Sequence, residues 1–137
     1  MSNPAPGFEA HPDYRVIIEP SSAHLRALVG GTVVADTRSA LSVTESKHRP
    51  VWYVPLSDVD QTLLTRTDTS TYCPFKGYAS YWSIRTPDAI VEDALWSYEA
   101  PFDECEPLAG YVAFYTDKVA VEVDGQPLES VAPGWTD

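Results

Sequence analysis

Apolar and polar positions along this chain alternate mostly with a period of two, the signature of half-buried strands rather than of helices. Short runs rich in β-branched residues and leucine occupy positions 15–19, 24–29, 32–36 and 41–45, and Gly30-Gly31 between the second and third is a tight-hairpin signal. An apolar run at 51–54 is closed by Pro55, and Ser57-Asp58-Val59-Asp60 then resembles a capping box opening a short helix through Leu63 and Leu64. Further strand candidates fall at 69–73, 78–85, 89–92, 95–98, 111–115 and 119–123, with turns at Pro87-Asp88 and Asp124-Gly125. The pattern predicts a mainly β chain of small antiparallel sheets with one or two short helices.

A faint internal echo runs through the same pattern. Val33-Val34-Ala35-Asp36 followed by 40–45 is answered by Ile90-Val91-Glu92-Asp93 followed by 94–99. Val51-Trp52-Tyr53-Val54, with Asp58-Val59 after it, is answered by Val112-Ala113-Phe114-Tyr115, with Asp117-Lys118-Val119 after it. Chance likeness between hairpins competes with a duplication here; a duplication implies two β-sheets related by a pseudo-twofold axis, with a site in the cleft between the halves.

Composition adds limits to that outline. With 137 residues the chain suits one domain, divided here into a flexible arm (1–13, with Pro4, Pro6, Gly7 and Pro12), a single β domain (14–128) and a tail (129–137). Twenty acidic against nine basic residues give a net charge of −11, a surface that repels phosphate backbones and anionic lipid. Nucleic acid and membranes are therefore not expected as partners. Two cysteines, Cys73 and Cys105, are too few for a four-ligand zinc site, and the opening residues lack a basic and apolar leader. A cytoplasmic protein with two free thiols and no cofactor is expected. Aromatic residues nevertheless make up 12% of the chain, including eight Tyr and four Trp, and buried hydroxyl and indole groups need hydrogen-bond partners.

Candidate chemistry gathers at Thr71-Tyr72-Cys73-Pro74-Phe75-Lys76-Gly77-Tyr78-Ala79-Ser80-Tyr81-Trp82. Pro74 favours extended geometry at Cys73 and Gly77 permits a left-handed turn, so Cys73 and Lys76 bracket a tight turn where thiol and ammonium approach each other. A neighbouring cation favours the reactive thiolate, whereas packing against Tyr and Phe keeps a thiol protonated and inert. Alternation then sets Tyr78, Ser80, Trp82 and Ile84 on one face, the core, and Ala79, Tyr81, Ser83 and Arg85 on the other, a semi-polar wall for a ring with an anionic or carbonyl group. Trp96 and Tyr98 likewise share a face.

A second polar concentration, Glu45, Lys47, His48 and Arg49, precedes Pro50, and a His near a Glu can move protons near neutral pH; a solvated loop accounts for the same spacing. His11 and His24 are too isolated to argue a metal triad, and the acidic stretches at 92–93 and 103–106 lack the glycine-punctuated spacing of a calcium loop. No phosphate-binding glycine loop, dinucleotide fingerprint or nucleophile elbow is present.

VVADT, E-x-x-H-x-P followed by VWYVP, TYCPFKGYASYWSI, VEDALWSYEAPF and GYVAFY together resemble the bacterial and fungal family known as domain of unknown function 427, over about residues 24 to 125. The resemblance implies a β-tent, Mss4-like architecture of two small antiparallel sheets. That broader group commonly holds zinc on paired C-x-x-C knuckles, which this chain lacks. The family's characteristic positions fall on Glu45, His48, Pro50, Tyr53, Pro55, Cys73, Pro74, Lys76, Gly77, Ala79, Tyr81, Trp96 and Tyr98, and Cys105 lies outside them. Its label as nucleotidyltransferase-like finds no support in the residues, because the G-S-x-x-x-x-D-x-D arrangement that holds magnesium against a triphosphate is absent.

The resulting expectation is a small-molecule ligand of unknown identity, bound by Tyr53, Tyr81, Arg85, Trp96 and Tyr98, with Cys73, Lys76, His48 and Glu45 as candidate catalytic groups. Whether a reaction is catalysed stays open. The alternative is a non-catalytic module that holds a peptide or protein in an aromatic groove, and exposed edge strands could also pair into a homodimer.

Overall fold

The computed structural model describes residues 3–45 and 50–128. Period-two patterning is realised there as strands β1 (Val16–Pro20), β2 (Leu25–Val29), β3 (Thr32–Thr37), β4 (Leu41–Glu45), β5 (Val51–Pro55), β6 (Leu64–Cys73), β7 (Gly77–Arg85), β8 (Ile90–Ser97), β9 (Tyr111–Phe114), β10 (Ala120–Val123) and β11 (Gln126–Pro127). They form two antiparallel sheets, one of seven strands in the order β1-β4-β5-β9-β8-β7-β6 and one of four in the order β11-β10-β2-β3. The mainly β architecture read from the sequence is therefore the observed one. Gly30 and Gly31 both take positive φ, as the two-residue turn between β2 and β3 requires.

Alternation along the central strands buries the larger sheet on both faces. Val54, Leu95, Val112 and Phe114 point toward the smaller sheet and meet Leu25, Ala27, Val34 and Val121 in one core. Their neighbours Tyr53, Trp96 and Ala113 point the other way, into a second core with Val43, Ala79, Tyr81, Tyr98, Cys105 and Leu108. That second core lies beneath the 3-10 segment Asp103–Leu108, with Cys105 and Leu108 supplied by it. The face of β7 expected as a semi-polar wall is thus a second core as far as Tyr81, because both faces of the sheet are covered.

Except for 33–36 in β3, the echoed strand segments lie in the larger sheet and not in two related sheets: β5 and β9 pair through Val54–Val112 and are flanked by β4 and β8, with β1 beyond β4 and both β7 and β6 beyond β8. The echoed segments 51–54 and 112–115 thus lie side by side, with the echoed 40–45 and 94–99 outside them.

Three local expectations are corrected. The helix through Leu64 is replaced by two 3-10 turns, Leu56–Asp58 and Gln61–Leu63, because Val59 between them is extended and bridges Ala35 of β3. Asp60 caps the second turn by accepting the Thr62 N–H at 3.1 Å. β6 begins at Leu64, five residues before the expected start at Thr69, since pairing with β7 organises its polar residues. The separate strands 89–92 and 95–98 are one strand, β8, bulged at Asp93, whose φ of 46° lies in the left-handed region. No helix among the described residues is long and apolar enough to cross a membrane.

Candidate functional site

The β6–β7 connection is built by its own sequence. Cys73 and Gly77 form the last pair of the ladder, the Lys76 N–H donates to the Cys73 carbonyl at 3.2 Å, and Gly77 closes the turn at φ 125°. The Lys76 carbonyl accepts the Phe102 N–H at 2.9 Å, tying the turn to the segment before Asp103–Leu108. Thus held, Lys76 directs its side chain inward, where it is 2% exposed. Its ammonium forms an ion pair with the Glu45 carboxylate at the end of β4. The Cys73 Sγ is 3.9 Å from the same nitrogen, and the Tyr98 ring centre is 5.8 Å from it.

Around this pair the second core supplies aromatic walls. Trp96 Nε1 donates to the Tyr53 hydroxyl at 3.3 Å, with the two rings edge-on. Burial raises the pKa of both the Tyr53 and the Tyr98 hydroxyls far above the ordinary tyrosine value, so each stays neutral. Burial likewise pushes the Cys105 thiol up to about 11, against the opposing pull of Lys76. Its Sγ donates to the Phe75 carbonyl at 3.5 Å, placing it as a prop beneath the turn.

Tyr81 belongs to the same core, but its hydroxyl lies 2.9 Å from Thr71 Oγ1 and 3.2 Å from the Tyr115 hydroxyl. Tyr115 packs on Trp96 with ring centres 4.5 Å apart. Trp96 therefore joins two halves: a charged one around Lys76 and a hydroxyl one around Tyr81. Burial, and next the hydrogen bond to Tyr81, raise the Tyr115 hydroxyl as well.

Glu45, Tyr53, Cys73, Lys76, Tyr81, Trp96 and Tyr98 are thus gathered by five strands, β4 to β8, with Lys76 on the β6–β7 turn and Tyr98 just past the end of β8. Arg85 is not among them: it is exposed at the far end of β7, opposite Ile90, because the strand carries it away from the turn. His48 lies outside the described residues. Among the described residues no group of three or more His, Cys, Asp or Glu side chains is placed to hold a metal ion.

Tyr14, at the boundary between the expected arm (1–13) and the expected β domain (14–128), contributes to the site although no motif pointed to it. The Tyr14 hydroxyl donates to Glu45 Oε2 at 2.5 Å, while its ring stacks on Phe75 at 3.9 Å. Phe8, His11 and Tyr14 recur at every third position, all within reach of Phe75, and that spacing was the available signal. Thr71 and Tyr115 were likewise missed as partners of Tyr81, since only strand pairing brings them together.

Chemically, the arrangement offers a fixed cation and a carboxylate acceptor side by side, a thiol within reach of the cation, and neutral aromatic hydroxyls around them. No curated protein matches the chain. A family model matches residues 17–125, a span that takes in Glu45, Lys76 and the aromatic walls and leaves Tyr14 outside; the chain belongs to the family described as Domain of unknown function (DUF427).

Proposed function

We propose that the chain is a small-molecule-binding protein whose ligand presents a carboxylate, phosphate or carbonyl oxygen to Lys76 and a flat or apolar body to Tyr53, Trp96 and Tyr98. The observation that supports this reading is the burial of the Lys76–Glu45 pair within an aromatic core. A buried ion pair is expensive to desolvate, and well-packed apolar residues of similar volume often give equal or greater stability. A cation kept in that setting is useful if it can exchange its carboxylate partner for an oxygen of a ligand. The net charge of −11 favours ligands with at most one or two negative charges. Glu45, released, is a proton acceptor beside the bound group, and Cys73 is the nucleophile in reach should the site be catalytic.

Thermal-shift measurements over a panel of small carboxylates, phosphates and carbonyl compounds test this. At least one member is expected to raise the Tm of the wild-type chain and to lose that effect in Lys76→Gln. A shift of equal size in Lys76→Gln, or no shift with any member of the panel, rejects the reading. A second reading has one observation in its favour: Tyr72 and Tyr78, 49% and 68% exposed, pair across the β6–β7 hairpin with ring centres 4.9 Å apart, beside Phe102. Exposed aromatic rungs of this kind suit a peptide or protein partner, and Tyr72→Ser with Tyr78→Ser would abolish such binding while leaving every Lys76-dependent shift in place.

A further inference from the structure

Lys76 and Glu45 are enclosed on the core side by side chains of the strands, by Tyr98 after β8 and by the 3-10 segment Asp103–Leu108, most of them fully buried. Against Glu45 and the turn that carries Lys76 lies the segment 3–14, and its attachments are of a different kind. The Asn3 carbonyl accepts the Asp103 N–H at 2.9 Å, and the Ala5 N–H donates to Glu104 Oε1 at 2.9 Å. The Gly7 N–H donates to the Pro74 carbonyl at 2.9 Å, on the turn that carries Lys76. Finally Tyr14 stacks on Phe75 and donates its hydroxyl to Glu45, the partner of Lys76. Between these points the segment is mostly exposed, with only Ala5 and Gly7 buried. Few buried contacts and a handful of hydrogen bonds mark a segment that opens at a free energy well below that of global unfolding.

We propose that residues 3–14 are a hinged strap over the Lys76–Glu45 pair, and that its lifting, with Tyr14 leaving Glu45, is the step that admits ligand. The identity of the admitted ligand class rests on the reading above, whereas the strap itself is tested without any ligand. When the strap lifts, Glu45 loses its tyrosine donor, Lys76 becomes reachable from solvent, and the vacated face of Phe75 is free to stack on an incoming ring. The closed state would then protect the ammonium from carbonyl compounds and acylating metabolites at large.

One position allows the strap to be pried up without touching the core. A Cβ at Gly7 would lie 2.7 Å from two atoms of the Phe75 ring and 2.9 Å from the Pro74 carbonyl, closer than atoms can approach, so Gly7→Val must displace the segment. The readouts are amide hydrogen exchange at Ala5 and reductive methylation of Lys76 with formaldehyde and borane, with Lys118 in the same chain as internal reference. Gly7→Val is expected to speed both exchange at Ala5 and methylation of Lys76 by roughly tenfold, the factor that loss of about one stacked ring pair brings to an opening equilibrium. Methylation of Lys118 and exchange in β7 and β8 should not change. Phe8→Ala, which trims a ring on the outer side of Phe75, should move the same two readouts together by a smaller factor, and it decides the matter if Gly7→Val does not fold.

Faster exchange at Ala5 with no change at Lys76 overturns the proposal, and so does acceleration at Lys76 only in step with exchange in β7 and β8. Methylation of wild-type Lys76 as fast as Lys118 overturns it too. A silent ligand panel alongside joint acceleration discards the binding reading and keeps the strap. The converse result discards the strap alone.

Discussion

Lys76 and Glu45 concentrate the energetic risk of this molecule in two side chains. Each is the counter-charge of the other in a setting with little water, so removing one leaves an unbalanced buried charge. Lys76→Met alone, or Glu45→Leu alone, is expected to cost about 3–5 kcal/mol in urea unfolding, and the double replacement to recover most of that loss. Additive losses in the double variant would mean that the two groups do not balance each other. Lys76 was recognisable in the sequence as a rare cation beside a Pro and Gly turn, and Glu45 as part of a polar cluster, yet nothing in their spacing joins them. Strand order alone sets β4 and the β6–β7 hairpin apart, second against sixth and seventh in the sheet, so the contact exists only in the folded chain, where the β6–β7 turn meets the end of β4. Tyr14 was hidden because it stands where the expected loose arm meets the expected β domain, and its role shows only once the Phe75 ring is placed against it.

At the level of elements, β8 shows where period-two reading stops working. Glu92-Asp93 interrupts the alternation, and two strands were expected where one bulged strand runs. What holds the bulge is side-chain chemistry: Thr67 and Thr69 donate to the two Asp93 carboxylate oxygens at 2.6 and 2.7 Å, while the Asp93 N–H donates to Ser83 Oγ at 3.1 Å. Those hydroxyls, and next the nearby Lys118 charge, hold the Asp93 carboxyl below its ordinary range. Asp93→Ala loses both acceptors and keeps a left-handed backbone that alanine resists, so a loss of about 2–3 kcal/mol is expected. Asp93→Asn tolerates the conformation and keeps one acceptor oxygen, so it should lose less than half as much; equal losses would show that the hydroxyl pair, not the conformation, decides. The shift from helix to 3-10 turns at 56–63 has the same origin. Val59 is buried by bridging Ala35, and a single inserted extended residue divides what local capping signals favour. β6 escaped notice in its first half because an edge strand of Thr, Arg and Asp has no apolar face to reveal it.

For the whole molecule, an acidic exterior and a buried aromatic and thiol interior respond to pH in opposite directions. On the acid side, Asp93 and Glu99, the latter held by Arg66 at 2.6 Å, have carboxyls below their usual range. The unfolded chain therefore takes up those protons first, and the stability they confer is present above the ordinary carboxylate range and is lost as pH falls through it. The −11 charge moderates this limb, since protonation also relieves repulsion. On the alkaline side both effects add. Cys105 in the folded state holds its proton to about 11, and Tyr53 and Tyr98 hold theirs higher still, all because burial disfavours the anion. The unfolded thiol releases its proton near ~8.5 and the tyrosines near ~10, so stability is full below those values and falls as pH rises toward the folded ones. Each proton released on unfolding then leaves an anion that water solvates and the core would not. Urea midpoints measured from pH 4 to 11 should form a plateau that falls off more steeply above about 9 than below about 5. Cys105→Ala should delay the alkaline fall to the tyrosine range, near ~10, and leave the acid limb unchanged. A wild-type midpoint that stays level from pH 8 to 11 would contradict burial of these three groups as neutral acids. Adding salt separates the two alkaline contributions, because screening weakens the general repulsion of the acidic surface and leaves the cost of a buried anion in place.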